Sequence, residues 1–266
     1  MEKISDYGTY TDGMRKSMPD KTWFLDKIDG SEEIVDYGCA DGALLRYIDD
    51  AMPQVFKLTG IDNDANMLQL AKDNLPYSIE LLTPDQFNMF PRNTHKACLN
   101  CGSVIHEVYS YGTTESIDKF WDFTFNSGFK YISIRDMAMS RIDISAPRSV
   151  MNEAVNKILC EGGLDVYNQL CEFRNFFGYQ PSTMTWKSIV HFLLKYRYIT
   201  NWDREMRENY FPLLTEEILL KIPKNYRVKY YEHYTLPFLK DKVMEDFGID
   251  LTTKTHYKLL LERIEE

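Results

Sequence analysis

Residues 32–48, EEIVDYGCADGALLRYI, constrain the fold of this chain more than any other stretch. "EIVDY" is short, apolar and partly β-branched, the composition of a buried strand bounded by turn residues. "ALLRYIDDAM" puts Leu44, Leu45 and Ile48 at helical spacing, with Asp41 in position to cap the helix start. Gly38 and Gly42 lie between, so the chain passes from strand to helix through a glycine turn. Such a turn brings bare backbone amides to the carboxyl end of the strand, where open α/β sheets bind their ligands.

The alternation continues downstream. FKLTGIDND (56–64) reads as a second strand ending in acids, and ANMLQLAKDNL (65–75) as a helix with Met67, Leu68 and Ala71 on one face. Further strands are predicted within 77–82, 95–104 and 130–137, with a helix over 117–129 that stops near Gly128. Strands alternating with helices imply βαβ units, hence a mostly parallel sheet covered on both faces. Residues 141–225 break this rhythm with Leu-, Tyr- and Phe-rich helical stretches around GYQPSTMTW, too long a segment for one crossover. Segments 226–235 and 255–264 are β-rich again. The expected fold is α/β: a Rossmann-like, seven-stranded, mostly parallel sheet with an antiparallel last strand, plus a helical insertion. Residues 31–140 and 226–266 would form the sheet domain, 141–225 a cap, and 1–30 an N-terminal segment or lid.

With 266 residues, 44% of them hydrophobic, the chain can bury a sizeable core. No apolar run is long enough for a membrane helix, and the N-terminus has no signal-like apolar stretch. Five cysteines, an odd number, argue against a disulfide framework and for a reducing cytoplasm. The net charge of −9 opposes broad binding to nucleic acid. Residues 186–231 depart from it, with nine Lys/Arg against five acids.

Asp36 and Gly38 stand at the end of the first strand, and Asp62 ends the second. An acid at that place accepts hydrogen bonds from a ribose diol, so a nucleoside-containing ligand is expected: a nicotinamide dinucleotide or S-adenosylmethionine. The spacing Gly38-x-x-x-Gly42 is not the G-x-G-x-x-G of a dinucleotide site. Asp41 inside the turn would repel a pyrophosphate, whereas it suits a ligand carrying an ammonium and a sulfonium.

VDYGCADG, GIDNDANML and LNCGSVIHEV resemble the motifs of the class I S-adenosylmethionine-dependent methyltransferases, a resemblance covering roughly residues 20–137. It implies S-adenosylmethionine as cofactor. Asp36, Gly38, Cys39 and Gly42 would then surround its methionine part, and Asn100 and Cys101 would line the methionine end. Asp62 would hold the ribose, Asn63 would lie beside the adenine, and Asp85 would contact the adenine amine. Ala40 stands where many members have glycine, which is tolerated at negative φ.

Around the transferable methyl group, SVIHEVYSYG offers His106 as a general base, with Tyr109 and Tyr111 beside the acceptor. Glu107 is a poor partner for His106, because neighbours on a helix diverge. His233 in YEHYT is a second catalytic candidate, and Trp202 of the insertion a further substrate contact. His95, Cys98, Cys101 and His106 superficially resemble a zinc pattern, but strand residues three apart face opposite ways, so no metal is expected. The basic and aromatic residues of HFLLKYRYITNWDREMRENYF, among them Lys195 and Arg204, read as an amphipathic cap helix with solvated charges. The expected function is methyl transfer to an oxygen or nitrogen of a small or medium-sized acceptor. The alternatives are a non-catalytic cofactor-binding module and a methyltransferase of nucleic acid.

Overall fold

The computed structural model describes residues 17–89, 91–180 and 184–264. Seven strands form one sheet in the order β3-β2-β1-β4-β5-β7-β6. They are β1 (Glu33–Tyr37), β2 (Lys57–Ile61), β3 (Glu80–Leu82), β4 (Ala97–Gly102), β5 (Tyr131–Met137), β6 (Tyr226–Tyr234) and β7 (His256–Arg263). β1 to β5 pair in parallel, and β7 runs antiparallel between β5 and β6. The reversal of strand order falls between β1 and β4. Both edges resist further pairing: β3 is only three residues long, and β6 carries a register shift between Val228 and Tyr230, with Lys229 at the irregularity.

Helices α1 (Ala43–Ala51) and α2 (Ala65–Asn74) cover one face of the sheet together with residues 17–28. Their Leu44, Leu45, Ile48, Leu68 and Ala71 meet Met18, Phe24 and Ile28 over Ile34, Leu58 and Cys98. The other face takes α3 (Pro84–Asn88), α4 (Ile105–Tyr111) and α5 (Thr114–Asn126). On α5, Phe120, Trp121, Phe123 and Phe125 all lie in this core, each buried ring stabilising by about 1.5–3 kcal/mol. Cys98 and Cys101 fall on opposite faces of β4, in these two different cores.

A third core is built by α6 (Arg148–Glu161), α7 (Gly163–Phe177), α8 (Trp186–Leu193) and α9 (Trp202–Arg207). Val243 and Phe247 of α11 (Pro237–Phe247), from between β6 and β7, complete it with Ile249 and Leu251. α10 (Thr215–Leu220) instead joins the sheet core through Ile218. Among the described residues, no helix is long and apolar enough to cross a membrane.

Candidate active site

The carboxyl ends of β1, β2 and β4 meet at the strand-order reversal, the position at which α/β sheets open a binding crevice. The glycine turn after β1 holds a left-handed run: Gly38 at φ 76°, Ala40 at 48° and Gly42 at 80°. Ala40 therefore departs from the negative φ expected of it. The reason is local: its N–H must turn back to donate to Asp62 Oδ2, at 2.9 Å. Such a conformation in a residue with a Cβ stores strain of order 1–3 kcal/mol and persists where surrounding bonds over-determine it. Gly42, not Asp41, is the N-cap of α1, while the Asp41 carboxylate accepts the Ala43 N–H at 3.2 Å. Ser103, just past β4, is also left-handed, at φ 60°.

Asp36 and Asn100 are register partners on β1 and β4 and are both buried. Asn100 Nδ2 donates to Asp36 Oδ1 at 2.8 Å, leaving Asn100 Oδ1 buried without a donor. Burial pushes Asp36 up to about 6, against the pull of Asn100 and of the Lys21 ammonium. Asp62 accepts the Ala40 N–H and, on its other oxygen, the Asp64 N–H at 2.8 Å. The Asn63 N–H also approaches this carboxylate, so of its roughly four lone-pair sites one is left for a ligand hydroxyl. Asn63 and Asp85 are exposed, Asp85 in the first turn of α3.

The two cysteines behave differently from the expectation. Cys39 packs in the core under α1, and Cys101 is fully buried beneath α5, where burial holds its thiol well up. Their side chains are enclosed by the two cores of the sheet.

His106 is the largest correction. Its Nδ1 is 2.7 Å from Asp136 Oδ1, and its Nε2 is 3.6 Å from Glu208 Oε2. Burial by itself would lower the imidazole, but Asp136 and Glu208 outweigh it and lift the ring to about 10. A carboxylate facing each ring nitrogen favours the imidazolium, which cannot act as a base. Asp136 also accepts the Ile105 N–H at 2.7 Å, tying the start of α4 to β5.

From the insertion, Arg204 reaches Glu107 Oε1 at 2.8 Å and Glu208 Oε1 at 3.1 Å, and the Tyr111 hydroxyl donates to Glu208 Oε1 at 3.1 Å. His106, Glu107 and Glu208 offer ligand atoms within 4.8 Å of one another, a spacing usable by a metal ion. The Arg204 guanidinium already supplies the positive charge there, so the donor set does not favour a metal. Lys195 is buried and donates to the Glu205 carbonyl at 2.5 Å and to the carbonyl of Glu208, closing the carboxyl end of α9. Lys195 and Arg204 are therefore interior groups, not the solvated charges that an amphipathic surface helix would carry.

The remaining acceptor candidates separate. Tyr111 sits at this junction, whereas the Tyr109 hydroxyl accepts the Trp121 Nε1–H at 3.0 Å and its ring packs on the α5 core. Trp202 belongs to the insertion core and donates to Glu172 Oε2 at 2.6 Å. His233 lies on β6, two strands from Asp136 in the same register row, with Nε2 3.1 Å from the Ala138 carbonyl and Nδ1 3.7 Å from Asp143. It is committed to structural contacts. Asp136, Glu208 and Lys21 join the site without having been expected from sequence. A signal existed for one of them: Glu208 stands four residues after Arg204, the spacing of a helical ion pair.

Residues 1–16 of the expected lid lie outside the described residues. Residues 17–28 pack against the sheet core, and Asp20 meets Arg135 at 2.8 Å and Lys258 at 2.7 Å, with the Tyr234 hydroxyl donating to it at 2.8 Å.

No protein-family model and no curated protein matches the chain. Among solved structures, the pyocyanin biosynthetic protein PhzM matches with a TM-score of 0.53 at 14% identity, over 96% of this chain and 57% of that one. The plantazolicin methyltransferase BamL, solved with a substrate analog and SAH, gives 0.49 at 10% identity over 97% and 88% of the two chains. The methyltransferase domain of bacterial CtHen1 gives 0.44 at 11% identity over 94% and 98%. Strand order, the antiparallel β7 and the likeness to PhzM define the class I methyltransferase fold, and this chain has it. It spans a little over half the length of PhzM.

Proposed function

We propose that the chain is an S-adenosylmethionine-dependent methyltransferase acting on an oxygen or nitrogen of a small or medium-sized acceptor. The observation that carries this reading is the buried Asp36–Asn100 pair at the strand-order reversal, with its orphaned Asn100 Oδ1. A buried acceptor without a donor is costly, and a ligand ammonium would satisfy it. Asp36 and Asn100 would hold the methionine end, Gly38 and Gly42 would shape the turn around it, and Asp62 would accept the ribose hydroxyls. The bound cofactor supplies an electrophilic methyl group. The chain's own work is to bind it, exclude water and align the acceptor.

The acceptor would enter between α4 and the insertion, where Tyr111 and Glu107 stand, and residues 141–225 would serve as the cap. Arg204 and Lys195 are spent inside the protein, which favours a small acceptor over a phosphate-tracking groove. A cytoplasmic setting remains our reading of the cysteine content.

Calorimetry should show binding of S-adenosylmethionine and S-adenosylhomocysteine and none of NAD; the reverse pattern would sink the reading. Turnover to S-adenosylhomocysteine with a panel of phenols, carboxylic acids, alcohols and amines distinguishes an enzyme from a binding module. Asp62→Ala should weaken S-adenosylhomocysteine by about 1.5–3 kcal/mol, roughly ten- to a hundredfold. Unchanged affinity would remove Asp62 from the cofactor site.

A further inference from the structure

Five titratable side chains converge where α4 meets the insertion, and they differ sharply in access. Side-chain exposure is 1% for Asp136, 2% for Glu208, 6% for His106 and 7% for Arg204, but 29% for Glu107. A group that exchanges a proton with a substrate must touch it. Four of the five are sealed behind protein, and both nitrogens of His106 already face carboxylates. Glu107 alone of the five keeps substantial accessible surface.

Resting on the methyltransferase reading above, we propose that Glu107 is the catalytic base that receives the acceptor's proton. Arg204 holds Oε1 at 2.8 Å and fixes the carboxylate's orientation. In this assignment its other oxygen takes the O–H or N–H proton. In the step, that proton passes to Glu107 and the freed lone pair on oxygen or nitrogen bonds to the methyl carbon. The carbon–sulfur bond breaks, and its electron pair returns to the sulfonium, leaving a neutral thioether. Atoms and charge balance with no further reactant. The acceptor in this step is a protic oxygen or nitrogen nucleophile.

Every neighbouring charge bears on this carboxyl. Burial raises its pKa, and so do Glu208 from the insertion and Asp136 on β5. His106 beside it and Arg204 opposite lower it, and the net direction is upward. Lys21, from the N-terminal segment, also feels Glu107. A raised carboxyl is a better proton acceptor than an ordinary one once ionised.

The test has an arm that needs no acceptor. A water-soluble carbodiimide with glycine methyl ester should label Glu107 in the folded chain and leave Asp136 and Glu208 unlabelled, read by peptide mass spectrometry. Glu107→Gln should keep S-adenosylhomocysteine affinity within about twofold, lower kcat with a panel acceptor at least about a hundredfold, and lose the acidic limb of the pH–rate profile. Glu107→Asp should recover part of the rate and the limb, separating chemistry from misfolding. Absence of labelling, or Glu107→Gln retaining more than about a tenth of the rate with its limb intact, overturns the assignment alone. A wild-type chain that fails to bind S-adenosylhomocysteine, or binds it and turns over no panel member, removes the methyltransferase reading and this assignment with it.

Discussion

Asp136→Ala is expected to lower the free energy of unfolding by about 3–5 kcal/mol, the cost of leaving one partner of a buried ion pair alone. The substitution strands the His106 imidazolium with Glu208 only, at 3.6 Å, and removes the acceptor of the Ile105 N–H. Asp136→Asn should cost less, because its amide oxygen still accepts a backbone N–H. The pH dependence gives an independent check. The folded imidazole titrates near 10 against an ordinary 6.5, so its pairing contributes in full below about 6.5 and is lost as pH rises through about 10. Wild-type stability should therefore fall across that window, and the Asp136→Ala slope should be flatter. Urea unfolding near pH 6, 8 and 10 measures both. A loss under about 1 kcal/mol, or an unaltered slope, would show that the pair does not govern this junction.

Gly38→Ala should be nearly as damaging, by about 2–5 kcal/mol, and through a different cause. A left-handed backbone costs a residue with a Cβ about 1–2 kcal/mol, and overpacking typically adds about 1–3. The added Cβ would stand 2.8 Å from Val104 Cγ2 and 3.3 Å from its Cβ, at φ 76°. Valine is stiff at χ1, so it yields little. Thermal unfolding of the variant checks this, and a melting point within a degree or two of wild type would contradict it. The result bears on the sequence motif, because the glycine is required here by the protein's own packing as well as by any ligand above the turn.

The sheet was legible because its strands announce themselves locally. EIVDY, KLTGI and YISIRDM are short stretches with turn residues close to their ends, and burial on both faces of the sheet suits them. The glycine turn was legible for the same reason, being defined by neighbours in sequence. The junction was not. His106 meets Asp136 thirty residues away, and Glu107 meets Arg204 ninety-seven residues away. No periodicity records such a contact, so a lone histidine on a helix read as a base when its partners make it a fixed cation. Trp202 and Tyr109 show the same limit: an aromatic residue that lines a pocket is indistinguishable by type from one that fills a core.

β7 is the last strand in the chain order but the penultimate one across the sheet, inserted between β5 and β6. α11 and the segment through Leu251, which finish the insertion's core, likewise follow that insertion by tens of residues. During synthesis, then, β5 emerges with an open edge, and the helices after it emerge without the side chains that close them. The edge of β5 waits for β7 and the helical core waits for α11 and Leu251, so the half of the molecule that would receive the acceptor closes late, through contacts distant in sequence. Ordering of this kind is slow and exposes apolar surface while it waits. A chain stalled before β7 would be a client for chaperones, while β1 to β4 could already be paired.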